Sequence, residues 1–344
     1  MRRRSAITST GSDPFGEHER ASLKRQLSVL GAPFTVESSN STALQLAIDA
    51  FGGLPRHRLR TKPRRFQVRL VCIEHRSTWP RGGDPPRPTL TSGNGLLCAT
   101  VDAGNFAIID VAQARALVCI SPAMLRLPYY ARYELIELAM VTLASRGQSL
   151  VPLHAACIGA NGSGVMLMGQ SGAGKSTLAL HALAGGMDLL SEDSAFVCLD
   201  TLRVTGTPNF LHLSPDATGF LQESPLLARI RCSPTITRRS GARKYEVDLR
   251  GLPGTLAPAP LRLAATVFLS RRAASPKKTL EPLGRRALLT RLRREQPYAA
   301  GLEGWRKFEQ CIARLPAYEL LRTSHPDGAV DNLRRLLLGK RVSA

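Results

Sequence analysis

Three stretches of this 344-residue chain carry side chains suited to phosphate chemistry: His154, the run Gly169-Gln170-Ser171-Gly172-Ala173-Gly174-Lys175-Ser176-Thr177, and the adjacent acids Glu192-Asp193. The run fills every fixed position of the pattern G-x-x-x-x-G-K-[ST]. Its glycines let backbone N–H groups turn toward phosphate oxygens, Lys175 reaches the outer phosphates, and the Ser176 hydroxyl is placed for Mg²⁺. Phosphoryl transfer also needs a group that takes the proton of the attacking hydroxyl. Glu192 is the expected base and Asp193 the expected metal-side acid, because two adjacent residues at a strand end point in different directions. His154 lies in the apolar run Val-Pro-Leu-His-Ala-Ala, where a lone histidine is either a satisfied core residue or a functional one.

Elements of the right kind surround these residues. Val165 to Met168 is an apolar run fit for a buried strand, and Ser176 to Ala184 reads as a helix closed by Gly185-Gly186, so strand, glycine loop and helix N-terminus meet at one anion site. Asp188 to Ser191 leads into the acid pair, and Ala195 to Leu199, Leu202 to Thr205, Lys244 to Leu249 and Leu263 to Ser270 are expected strands. Gly251 to Pro260 is a Pro/Gly connector, and Ala287 to Arg294, Trp305 to Leu315 and Val330 to Leu338 are closing helices. Upstream, Leu44 to Phe51 reads as a helix, Phe66 to Glu74 as a strand, and Trp79 to Pro88 as a loop. Three short strands follow at Leu96 to Asp102, Phe106 to Val111 and Ala116 to Ser121, and Tyr133 to Ser145 is an amphipathic helix. The division expected is a disordered basic tail over 1–30, an α+β domain over 31–150, and an ATP-binding domain over 151–344. Residues 31–150 show no catalytic constellation and are assigned a covering or partner-recognising role. The cluster Arg126, Tyr129, Tyr130, Arg132 either touches a ligand or, as the favoured reading, is a helix entrance packed on the neighbouring domain.

The formal net charge is +21. From Arg229 onward roughly 25 basic residues face roughly nine acidic ones, a field that attracts nucleotides, acidic peptides or nucleic acid alike. Few aromatics lie among the dispersed arginine doublets, which argues against a stacking platform for single strands. The Arg243-Lys244 pair either brings positive charge over a γ-phosphate or belongs to a surface hairpin. Seven scattered cysteines without C-x-x-C spacing point to a reducing, cytoplasmic setting. The Met-Arg-Arg-Arg-Ser start lacks an apolar h-region, and no stretch reaches membrane-spanning length.

His154, the Gly169 to Thr177 loop and Glu192-Asp193, taken together at their intervals, resemble the catalytic domain of HPr kinase/phosphorylase and related serine kinases, including kinases of modified-peptide precursors. The resemblance extends more weakly to Leu263 to Leu269, Leu315 to Leu320 and the last helix. It implies an α/β fold similar to phosphoenolpyruvate carboxykinase, with ATP and Mg²⁺ as cofactors. It makes Lys175 the phosphate-binding lysine, Ser176 and Asp193 the metal side, Glu192 the base and His154 the partner that orients that base. Glu192 departs from the aspartate of the HPr enzymes, and their phosphorolysis signature is not found, so phosphorylase activity is not expected. The activity implied is transfer of the γ-phosphoryl group to a hydroxyl of a protein, peptide or free serine-like metabolite. The rival outside enzymology is an ATP-sensing regulator that binds nucleic acid. No N-K-x-D-like motif of a GTPase occurs.

Overall fold

The structure is a computed structural model that describes residues 23–80, 82–170, 172–250, 256–275 and 279–338. Two large sheets divide the chain near residue 150: one apolar core backs the first and takes in Phe196 and Cys198 of the second, two cores serve the second, and a small third sheet packs into one of these through Leu211, Leu213 and Val247.

The first sheet contains β1 (Leu23–Val29), β2 (Ala32–Ser38), β3 (Phe66–Cys72), β4 (Thr89–Gly93), β5 (Leu96–Asp102), β6 (Asn105–Asp110) and β7 (Arg115–Ile120), in the order β1-β2-β3-β7-β6-β5-β4. The expected tail over 1–30 is therefore corrected from Leu23 onward, while 1–22 lie outside the described residues. β1 escapes sequence detection because it is an edge strand in which the run Lys24 to Gln26 is exposed and breaks the alternation, while pairing with β2 and packing of Leu23, Leu27 and Val29 on the core hold it. Helix α1 (Ser41–Phe51) is capped by Asn40, whose side chain accepts from the Ala43 N–H at 2.9 Å. Two short turns, α2 (Pro122–Leu125) and α3 (Pro128–Tyr130), lead into a π-helix over Ala131–Glu137 that continues as α4 (Leu138–Gly147). The helix read as starting at Tyr133 thus begins earlier and with a wider turn. That wider turn brings Arg132, Tyr133, Glu134 and Glu137 toward the second half of the chain.

The second sheet has nine strands: β8 (Val151–His154), β9 (Ala156–Ala160), β10 (Ser163–Met168), β11 (Asp188–Ser191), β12 (Ser194–Cys198), β13 (Arg203–Gly206), and, after the third sheet, β17 (Leu261–Ala273), β18 (Leu280–Pro282) and β19 (Ala317–Arg322). β10 runs parallel to β17, which runs parallel to β19, and β9 is antiparallel to β10. Five helices, α5 (Lys175–Ala184), α7 (Arg285–Glu295), α8 (Pro297–Ala300), α9 (Trp305–Ile312) and α10 (Pro326–Leu337), join this sheet, and α5 packs on α10. The third sheet joins β14 (Phe210–Leu213), β15 (Thr235–Thr237) and β16 (Arg243–Asp248), with α6 (Pro225–Arg231) in its connection. Residues 251–255 of the expected connector lie outside the described residues. Among the described residues no helix is long and apolar enough to cross a membrane. All seven cysteines are free.

Candidate functional site

The glycine loop leaves the end of β10 and enters α5, as the spacing predicts. Gly172 and Gly174 hold φ of 77° and 97°, a left-handed backbone that costs a residue with a Cβ roughly 1–2 kcal/mol. Gly174 is the N-cap of α5, so the loop's amides and the helix N-terminus face the same space. Lys175 is buried and donates from Nζ to the Gly169 carbonyl at 2.7 Å. Burial lowers its pKa, and the charges of Asp193 and Glu192 oppose that shift. Gln170 is exposed, Ala173 closes the turn by donating its N–H to the Gln170 carbonyl at 3.1 Å, and Ser176 and Thr177 open onto the cleft. Ser171 lies outside the described residues.

Glu192 and Asp193 form the turn between β11 and β12 and have different surroundings. Glu192 is 6% exposed. Its Oε1 accepts a hydrogen bond from the Ser176 hydroxyl, and its Oε2 lies 3.6 Å from His212 Nδ1. Burial alone would raise the Glu192 pKa; the hydrogen bond and charge of His212, with Ser176 and Lys244, outweigh it and leave the carboxyl below its ordinary value. Asp193 has a side chain 36% exposed, and His154, 51% exposed, meets it at 3.2 Å between Nδ1 and Oδ1.

Here the geometry corrects the sequence reading: His154 is the partner of Asp193, and the imidazole beside Glu192 is His212. Strand register is the reason. Ser194 of β12 is paired with His154 of β8, and the Ala155 N–H donates to the Asp193 carbonyl at 3.0 Å, so the residue before Ser194 is brought to the histidine. Gln296 fixes the backbone of His154 from the other side, accepting from its N–H at 2.8 Å and donating to its carbonyl at 3.1 Å.

His212 belongs to β14, directly across from Glu246 of β16, and its Nε2 lies 3.2 Å from Glu246 Oε1. Burial disfavours a charged His212, but hydrogen bonds to Glu192 and Glu246 outweigh it and raise its pKa. Glu246 also accepts from Arg132 of the π-helix. A buried polar chain therefore runs from the first domain, Arg132–Glu246–His212–Glu192, to Ser176 at the phosphate loop. Sequence reading missed His212, Glu246 and Asn209; the only local signal is a histidine in the apolar run Asn-Phe-Leu-His-Leu, the pattern that drew attention to His154.

One cleft of about 820 Å³ is lined by His154, Lys175, Ser176, Glu192 and Asp193, among others, so the three motifs do meet. Arg87, Arg238, Arg239 and Lys244 line the same cleft and make it basic. Strand alternation separates the Arg243-Lys244 pair: Lys244 faces the cleft, whereas Arg243 is exposed and donates to Thr235 Oγ1 at 3.4 Å in a hairpin. The first domain is more than a cover, because Tyr133 and Glu134 also line the cleft. Arg239 is held by Glu134 at 2.8 Å and lies over the Tyr130 ring at 4.4 Å, and Arg238 lies over Tyr133 at 5.4 Å. Of the basic-aromatic cluster, Tyr130 and Arg132 are buried, and Arg132 packs on the second domain through Glu246 and the Phe210 ring.

Among the described residues no group of three or more His, Cys, Asp or Glu could hold a metal ion unaided. Mg²⁺ commonly binds through one or two carboxylates plus nucleotide phosphates, and the Ser176 hydroxyl with the Glu192 carboxylate fits that partial donor set.

No protein-family model matches the chain, and no curated protein matches it. Among solved structures, the chain is similar to the HPr(Ser) kinase/phosphatase from Coxiella burnetii, at 14% identity and a TM-score of 0.27, over 55% of this chain and 88% of that one.

Proposed function

We propose that this chain is an ATP-dependent phosphotransferase that moves the γ-phosphoryl group to a hydroxyl. The observation that carries the reading is the meeting of a phosphate loop, a buried lysine and two differently placed carboxylates in one basic cleft. Backbone amides of the loop and the α5 N-terminus cradle the phosphates, and Lys175 exchanges its contact with the Gly169 carbonyl for phosphate oxygens.

Geometry favours an exchange of roles between the two acids. Both oxygens of Glu192 are engaged, one by the loop serine and one by His212, which suits the metal side. Asp193 is the more exposed acid, and His154 orients it, which suits contact with an incoming hydroxyl. Ser176 and Glu192 would then hold Mg²⁺, which when bound neutralises charge across the β- and γ-phosphates. The acceptor oxygen bonds to the γ-phosphorus, its proton passes to the Asp193 carboxylate, the bond from phosphorus to the bridging oxygen breaks, and ADP leaves with the electron pair. Lys175, Lys244 and Arg238 supply positive charge around the group in transit.

The test is phosphate-ester formation, followed by ³¹P NMR, from Mg·ATP and a panel of hydroxyl acceptors. Asp193→Asn should bind ATP normally and transfer about a thousandfold more slowly. Unchanged turnover in that variant would return the base role to Glu192. Failure of the wild-type chain to bind ATP would end the reading altogether.

A further inference from the structure

The cleft carries positive charge beyond what its phosphate loop needs. Besides Lys175, it is lined by Arg87 of the first domain and by Arg238, Arg239 and Lys244 of the β15–β16 hairpin. Arg239 is answered by Glu134, whose two oxygens accept from its Nε, at 2.8 Å, and from its Nη2. Among the described residues no carboxylate lies within ion-pair distance of Arg87, Arg238 or Lys244.

These three cations do not serve one place. Lys244 acts electrostatically on Lys175 and Glu192, which puts it with the phosphates. Arg87 and Arg238 belong to the wall where the two domains meet: Arg87 Nη2 donates to the Arg239 carbonyl at 3.4 Å, so a first-domain side chain reaches the hairpin tip beside Arg238. The half-buried Arg238 guanidinium lies over the Tyr133 ring at 5.4 Å and donates to its hydroxyl at 3.4 Å, with the Tyr129 hydroxyl also in reach. Those partners are neutral, and two hydroxyls cannot engage every N–H of a guanidinium. A half-buried cation without a counter-charge is costly, and an anion in the cleft removes that cost.

Tyr133 ties this wall to the chemistry. Burial, and after it the charge of Asp193, push the Tyr133 hydroxyl up to about 12, with Arg238 opposing the rise. The tyrosine therefore keeps its proton and has both the proposed base and the guanidinium as neighbours. The nucleotide is served without this wall, by the loop amides, the α5 N-terminus and Lys175.

We propose that Arg87 and Arg238, with the Tyr133 hydroxyl, bind an anionic group of the phosphate acceptor, so that the substrate is a hydroxyl compound bearing its own carboxylate or phosphate. The proposal rests on the phosphotransferase reading above. The anion is held at the domain boundary, and the hydroxyl it carries is brought to Asp193. A small hydroxy acid and a serine peptide with an acidic neighbour offer the same chemistry, and the probes separate these sources.

The experiment uses the full chain and matched acceptors: ω-hydroxy acids of increasing length, their primary amides, the corresponding amino alcohols, phosphate monoesters of diols, and Ser peptides with an acidic or an amide side chain beside the serine. Binding is read by calorimetry with a non-hydrolysable ATP analogue present, and transfer by ³¹P NMR with Mg·ATP. Anionic acceptors should exceed their uncharged counterparts at least about tenfold in kcat/KM, with amino alcohols last. Arg238→Gln should cut that preference about tenfold, chiefly through KM, and Arg238→Lys should restore part of it. Arg87→Gln, a change at an exposed side chain, should cut it about threefold. Arg243→Gln removes a nearby charge that does not line the cleft and should leave the preference intact, which separates a site from the general field of a chain of charge +21.

Phosphorylation of the small acids, of the acidic peptides or of both supports the proposal and names the source of the anion. Uncharged or cationic acceptors that match the anionic ones would overturn it while sparing the phosphotransferase reading. So would a preference that survives Arg238→Gln and Arg87→Gln together, or one that Arg243→Gln reduces as much. Loss of ATP-analogue affinity in Arg238→Gln equal to its loss of acceptor affinity would return that arginine to the nucleotide and also overturn the proposal. Failure of the wild-type chain to bind ATP would defeat both readings.

Discussion

The basic cleft and a smaller pocket of about 290 Å³ that adjoins it meet along the same two carboxylates, Glu192 and Asp193, yet they are assembled in different ways. The cleft takes its phosphate-handling residues from one continuous stretch, Gly169 to Thr177, where β10 turns into α5. The pocket takes its walls from the π-helix, α4 and β14, brought together by long-range pairs such as Arg132–Glu246, separated by 114 residues. A local turn sets the first with backbone conformation alone, whereas the second exists only if the two domains dock. Damage to the loop should therefore be confined to the nucleotide, and damage to the buried polar chain should spread into stability.

The largest effect that separates the regions is expected from Lys175→Ala. Removing the one buried ammonium at the loop should weaken ATP binding about a thousandfold, since hydrogen bonds to charged groups are worth roughly 1.5–3 kcal/mol each and this lysine would make more than one. Urea unfolding should be nearly unchanged, because in the free protein Nζ bonds only a loop carbonyl. Calorimetry with an ATP analogue and a denaturation curve check both halves, and a large loss of stability would erase the contrast between the regions.

His212→Leu should do the reverse. It removes the imidazole lying between Glu192 and Glu246 and leaves two buried carboxylates facing an apolar side chain, at a cost of about 3 kcal/mol in urea. Arg132 still pairs with Glu246, so the fold should survive. A midpoint equal to that of the wild type would show that the chain from Arg132 to Ser176 does not link the domains energetically.

The same contrast governs what could be read from the sequence. Glycine spacing, the apolar run before it and the helix after it all lie within some twenty residues, so the loop, β10 and α5 were legible without coordinates. The acid pair was legible as a site, but not the partner of each acid. His154 stands a fixed distance before the loop whichever acid it meets, and only the β8–β12 register decides for Asp193. Edge strands were lost for a different reason: β4 has every side chain exposed, Leu90 by 66%, so no alternation marks it. The walls of the pocket left no trace because Glu137, Asn209 and His212 gain their meaning only from contact across domains. Helical periodicity at Tyr133 to Ser145 was recognised, but the wider π turn that aims Glu137 was not, since apolar spacing does not distinguish the two helices there.

The smallest effect tests whether domain docking away from the site matters to either region. His57, in the first domain, is buried between Thr205 and Ala257, with Nδ1 2.7 Å from Thr205 Oγ1 and Nε2 3.0 Å from the Ala257 carbonyl. A carbonyl only accepts, so Nε2 carries the proton and Nδ1 accepts from the threonine hydroxyl, which makes the ring neutral. Burial lowers the His57 pKa below 6.5, and the Ala257 carbonyl opposes that shift. The unfolded chain then binds a proton that the folded chain refuses. The contribution of His57 is complete above pH 6.5 and is lost as pH falls below it toward the folded value. His181 has the same sign and His212 the opposite, so the wild-type curve is a sum and the informative quantity is a difference. His57→Gln should flatten the fall in urea midpoint between pH 7.5 and 5.5 by under about 1 kcal/mol, leaving ATP binding at pH 7.5 unchanged. Parallel curves for the two proteins would mean that His57 does not titrate on unfolding in this range. A loss of ATP binding in His57→Gln would show instead that the cleft depends on docking at this distant contact.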